Sequence, residues 1–118
     1  MARELSEILT TISEYGSWQT LSPLNVNSRN YLGETPLHTA ALLGDKEAIQ
    51  VLVKAGVEIN ALGEDGNTAL HEAALGGHEE ACSLLISLGA DPSIKNDLDW
   101  TALEIMKRRD TAKKSPSS

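Results

Sequence analysis

The chain has 118 residues, 41% of them hydrophobic, which is enough for one domain; with no Phe, two Trp and two Tyr, its interior must be filled by Leu, Ile, Val and Ala. The formal net charge is −7; residues 1–99 hold 15 acidic and 5 basic side chains, whereas residues 100–118 hold 5 basic and 2 acidic. An acidic body argues against nucleic acid as a partner, and no apolar run is long enough for a membrane helix or a secretory signal.

Leu5, Ile8, Leu9 and Ile12 have helical spacing, with Gly16 as the expected break. A short second helix is expected over residues 17–21, stopped at Pro23, with Trp18 in the core or covering the end of the fold. Residues 1–32 thus read as an irregular capping unit.

The clearest unit follows, over residues 33–65. Thr35 is a good N-cap, and Pro36 suits a first helical position because its missing N–H would be unpaired there. The helix carries Leu37, His38, Ala40, Ala41 and Leu42, and Gly44-Asp45 ends it and starts another. That second helix runs from Lys46 to Lys54 with Ala48, Ile49, Val51 and Leu52 on its buried side, and closes at Gly56. The stretch after Gly56, with Asn60, Gly63 and Asp65-Gly66, suits a short hairpin.

Residues 66–98 repeat the pattern. Thr68 starts a helix holding Leu70, His71, Ala73, Ala74 and Leu75, Gly76-Gly77 breaks it, and Glu79 to Leu88 forms the next, closed at Gly89. Residues 99–112 read as a truncated third unit in which Thr101 caps a helix with Leu103, Ile105 and Met106; residues 113–118 read as a disordered tail.

Thr35, Thr68 and Thr101 stand 33 residues apart, and their neighbours repeat with them. Such a period means stacked units, each burying its apolar flank against the next. Stacks bind along extended surfaces, whereas most enzymes converge residues in a pocket.

Residues 35–44, Thr-Pro-Leu-His-Thr-Ala-Ala-Leu-Leu-Gly, resemble the signature of the ankyrin repeat family, as do residues 68–78 and, for the outer-helix ending, residues 84–92. The resemblance implies an all-α ankyrin-repeat solenoid of helix-turn-helix pairs with projecting β-hairpin loops, about three repeats behind the N-terminal cap. It also implies non-enzymatic protein binding on the concave surface of inner helices and hairpin tips. Ala69 and Ala102 replace the usual Pro, Glu104 the His and Lys107 the second Ala, departures that grow toward the C-terminus and suit an end cap.

His38 and His71 each sit three residues after a helix-starting Thr, where the ring can pair with that Thr hydroxyl and with loop backbone; a structural role therefore outweighs a catalytic or metal role. Cys82, the one cysteine, lies on an apolar helix side and reads as a small hydrophobe. A lone cysteine fits a reducing, cytoplasmic setting. No phosphate loop, nucleophile elbow or zinc pattern is present, so no catalytic residue, metal or cofactor is expected.

The informative positions are those that the repeat leaves undetermined. By the resemblance, they fall on the partner surface: Tyr31, Leu32, Glu34, Glu64, Asp65, Asn67, Asp97, Leu98 and Trp100 on the tips, and Thr39, Leu42, Leu43, Glu72, Leu75 and Ile105 on the inner helices. Trp100 replaces Glu34 and Asn67 of the other copies, and reads either as a binding anchor or as a cover for the truncated end. The expected partner is another protein, a basic one if the acidic stripe steers association. A narrower reading is an acidic inhibitor or immunity-type protein neutralising a basic toxin or nuclease. The unbound chain is expected to be a monomer.

Overall fold

The computed structural model describes residues 3–14, 18 and 25–113. The expected break at Gly16, the short helix over residues 17–21 apart from Trp18 itself, the stop at Pro23 and residues 114–118 lie outside them. Among the described residues six α-helices follow in order: α1 (Leu5–Ser13), α2 (Pro36–Leu43), α3 (Lys46–Lys54), α4 (Ala69–Leu75), α5 (Glu79–Ser87) and α6 (Ala102–Lys113). The inner helices α2, α4 and α6 pack side by side. The outer helices α3 and α5 lie behind α2 and α4 and pack on each other, and α1 rests on both α2 and α3.

The core follows from small inner helices. Ala40, Ala41, Ala73 and Ala74 are at most 1% exposed, so neighbouring backbones approach closely, and Ile49, Leu52 and Leu85 from the outer helices fill the remaining space. Trp18 is fully buried, and its indole Nε1–H donates to the Thr39 hydroxyl at 2.8 Å. It belongs to the core and covers α2 where no earlier inner helix lies among the described residues.

Each helix start is built from local chemistry. The Thr35 N–H donates to Nδ1 of His38 and the Thr68 N–H to Nδ1 of His71, both at 3.0 Å. A ring nitrogen that accepts from an amide carries no hydrogen, so Nε2 must carry it. Nε2 of His38 donates to the Asn67 carbonyl and Nε2 of His71 to the Trp100 carbonyl, each at 2.9 Å. Each histidine therefore caps its own helix and holds the turn of the next unit. At Thr101 the return bond comes from Glu104, whose Oε1 accepts from the Thr101 N–H at 2.9 Å. Glutamate suffices there because no further turn follows among the described residues.

The connecting loops are tight turns. One bond closes each: Asn30 N–H to Glu34 O at 3.0 Å, Gly63 to Asn67 at 2.8 Å and Asn96 to Trp100 at 2.9 Å. No strand forms among the described residues, so each hairpin is reduced to its turn. Successive tips are joined by the Asp97 N–H donating to the Asp65 carbonyl at 2.9 Å. The slot held by Gly33 and Gly66 with φ of 79° and 69° is filled by Asp99 at 68°, a left-handed conformation that aspartate tolerates better than most residues.

The C-terminal end is finished by substitution. In the complete units the His78 ring lies against Gly44, where an added Cβ would come within 2.6 Å of it, and His78 Nε2 bonds the Leu42 carbonyl at 2.9 Å. One unit later the Arg109 guanidinium lies against Gly77 and donates to the Leu75 carbonyl at 3.0 Å. Arg109 thus makes against Gly77 and Leu75 the contact that His78 makes against Gly44 and Leu42. Arg109→Ala should lower the melting temperature by about 2–4 °C in a calorimetric scan, the scale of one lost hydrogen bond.

Candidate functional interface

The undetermined side chains divide into an exposed set and a buried set. Tyr31 and Leu98 stand out from the turns at 79% and 70% exposure. Leu42 and Leu43 at the end of α2 and Leu75 at the end of α4 are exposed, and Leu42 and Leu75 occupy equivalent positions on adjacent packed helices. Glu64, Asp65 and Asp97 are exposed on the tips, and Leu32, Glu34 and Trp100 are half-buried.

Four of the expected surface residues are buried instead. Thr39 (9% exposed), Glu72 (6%) and Ile105 (4%) fill one equivalent slot on the three inner helices. Side-by-side packing of α2, α4 and α6 closes that slot. Thr39 is further used by Trp18. Asn67, 6% exposed, accepts from the Asn96 side-chain amide at 2.9 Å, which ties one turn to the next. These four support the surface from beneath.

Leu62 escaped the sequence reading and is 52% exposed beside the tips. The signal was present: its slot holds Arg29 and Lys95 in the flanking copies, so an apolar residue there breaks a polar pattern. The Leu62 carbonyl also accepts from Arg29 at 2.9 Å, which links consecutive units.

Trp100 is held on two sides. Its ring packs against the core, and the Arg108 guanidinium lies 4.2 Å from the ring centroid, a cation–π contact. Its carbonyl is fixed by His71.

The electrostatics centre on Glu72. Burial, reinforced by the neighbouring carboxylates of Glu34, Glu64 and Asp65 and a hydrogen bond with Glu34, pushes its carboxyl up to about 7. Burial acts on His38 in the opposite sense, holding its imidazole below the usual range. The ion pairs of the acidic body are Arg3 with Asp45 at 2.6 Å and Glu47 at 2.5 Å, Lys46 with Glu80, and Lys95 with Asp99 at 3.7 Å on the last turn. The Cys82 thiol is half-buried and raised by burial and by Glu79, the reverse of an activated nucleophile. No group of His, Cys, Asp and Glu among the described residues could hold a metal ion, and no described helix is long and apolar enough to cross a membrane.

Stacked helix pairs with small inner helices, interlocking turns and no convergent reactive groups among the described residues define a helical repeat solenoid. The family profile described as ankyrin repeats in three copies matches residues 7–96, and the chain belongs to that family. Members of the family are generally protein–protein interaction modules and typically not enzymes. The chain is similar to human oxysterol-binding protein-related protein 1, at 37% identity over 65 residues, covering 53% of this chain and 6% of that protein. It is also similar to mouse ankyrin repeat domain-containing protein 37, at 35% identity over 48 residues, covering 41% of this chain and 30% of that protein. The chain therefore spans less than a third of the length of either relative.

Proposed function

We propose that the chain binds a basic partner protein through the surface formed by its turn tips and the C-terminal ends of its inner helices. The observations that carry this reading are the exposed Leu42, Leu43 and Leu75 at the C-terminal ends of α2 and α4, and the exposed Tyr31, Leu98, Glu64, Asp65 and Asp97 on the turns. Apolar anchors supply affinity once desolvated, and the surrounding carboxylates steer approach and select against acidic proteins. Trp100 forms the end wall of this surface, its ring steadied by Arg108.

The partner would be recovered by affinity capture from the native source and its binding measured by calorimetry. Tyr31→Ala should then weaken binding by about 2 kcal/mol while leaving the melting temperature in place, because an exposed tip residue contributes little to folding. Association should slow markedly as salt rises from low to physiological strength. Unchanged affinity for both Tyr31→Ala and Leu75→Ala would remove this surface from consideration, and a salt-independent association rate would remove the basic partner.

A further inference from the structure

Asn30 is the hub of the first turn and is buried. Its side-chain oxygen accepts from the Leu32 N–H at 3.0 Å and the Glu34 N–H at 2.9 Å, and its Nδ2 donates to Glu34 Oε1 at 3.1 Å. Asn96 builds the third turn in the same way, accepting from the Leu98 N–H at 3.0 Å and the Trp100 N–H at 3.1 Å. Its Nδ2 donates to the side-chain oxygen of Asn67, an amide that does not ionise. The two hubs therefore differ in kind: the acceptor for Asn30 is a carboxylate.

That carboxylate is joined to a second one. Glu34 lies against Gly63, where an added Cβ would come within 3.2 Å of its Cγ, and it hydrogen-bonds the buried Glu72 of α4. Such a bond needs a proton on one partner, because two carboxylates can only accept. The surroundings keep that proton in place. Helices α2 and α6 bring the uncharged Thr39 and Ile105 to the same slot, and the second turn adds the like charges of Glu64 and Asp65. The nearby cations are engaged elsewhere: Arg29 at the Gly33 and Leu62 carbonyls, Arg108 over the Trp100 ring and Arg109 at the Leu75 carbonyl. Lys107 is two residues from Ile105 and so belongs to another face of α6. Helix α5 lies behind α4, with its first-turn Glu79 and Glu80 exposed. An ionised Glu72 would be a buried charge beside its own kind.

We propose that Glu34 and Glu72 share one proton as a latch between the first turn and the second inner helix, and that loss of this proton loosens the Asn30 turn, with Tyr31 at its tip, from α4. The direction is fixed by the site. Glu72 is pushed up to about 7 when seated, against 4.5 when released, so the latch is complete below pH 4.5 and is lost as pH rises through 7. His38 borders the same turn and acts in the opposite sense, its cap weakening as pH falls below 6.5. The third turn has no counterpart of the latch, since Asn67 does not titrate. Where the tips bind a partner as proposed above, Tyr31 is presented more firmly in mildly acidic than in neutral solution; that consequence rests on the proposed function, whereas the latch does not.

Solvent exchange of the backbone amides is followed by NMR on the full chain in steps from about pH 5 to about pH 8, corrected for the intrinsic chemical rate. Protection of the Leu32 and Glu34 amides should fall roughly tenfold between about pH 5 and 7 and level off above, while the Leu98 and Trp100 amides hold constant. In Glu72→Gln the fall should vanish. Glu34→Gln, whose amide can donate to an ionised Glu72, should reduce it. A flat profile at Leu32 and Glu34, an equal fall at Leu98 and Trp100, or a fall that survives Glu72→Gln overturns the latch. The measurement uses no partner, so its failure leaves the proposed partner surface standing, and failure of that surface leaves the latch.

Discussion

Glu72→Gln should make the protein more stable above neutral pH, by about 3 kcal/mol at pH 8, and change it little at pH 4. The sign follows from the site. Glu72 titrates near 7 in the folded chain against an ordinary value of 4.5, so between those values the folded state holds a proton that the unfolded state has released. Stability contributed by the neutral carboxyl is complete below pH 4.5 and is lost as pH rises through 7. Glutamine keeps the shape and removes the charge, so the loss disappears. His38 acts in the other direction: its folded value is depressed, so its contribution is complete above 6.5 and lost as pH falls below it. The wild-type chain combines these opposed slopes. The Glu72→Gln variant should show only the rising one between about pH 5 and 7. Urea titrations across that range give the answer, and equal slopes in the two proteins would mean that Glu72 ionises normally.

Trp18→Ala should cost about 3–5 kcal/mol of unfolding free energy, the range for removing a fully buried large side chain. The chain would lose both the ring that covers α2 and the donor to Thr39. Trp18→Phe separates these contributions. It retains most of the apolar area but leaves the Thr39 hydroxyl buried without its donor, and should cost about 1–2 kcal/mol. Because α1 rests on α2 and α3, the larger substitution should also raise amide exchange over Ile8, Leu9 and Ile12 ahead of the rest of the chain. Exchange that rises uniformly through α4 and α5 would show that the N-terminal unit does not open separately.

The 33-residue period, the threonine starts and the closing glycines could be read from the sequence because they are local. A threonine before a proline, or a glycine where the chain must turn left-handed, is dictated by its own neighbours. The pairing of His38 and His71 with their threonines was legible for the same reason; their second bonds, to carbonyls 29 residues on, depend on how one unit lies on the next. Burial of the slot shared by Thr39, Glu72 and Ile105 was hidden for a related reason. A threonine, a glutamate and an isoleucine show no common hydrophobicity, and only the apposition of three helices encloses them. Arg109 was hidden too. It does the work of His78 from a different position in the repeat, so no alignment of copies brings the two together.

The imidazole arms also give the stack a direction. His38 and His71 each lend a hydrogen to the backbone of the unit that follows, so the second and third turns are clasped from behind, whereas among the described residues Glu104 makes no such bond. Under tension, α6 should part from α4 before the paired helices α2–α3 and α4–α5 separate.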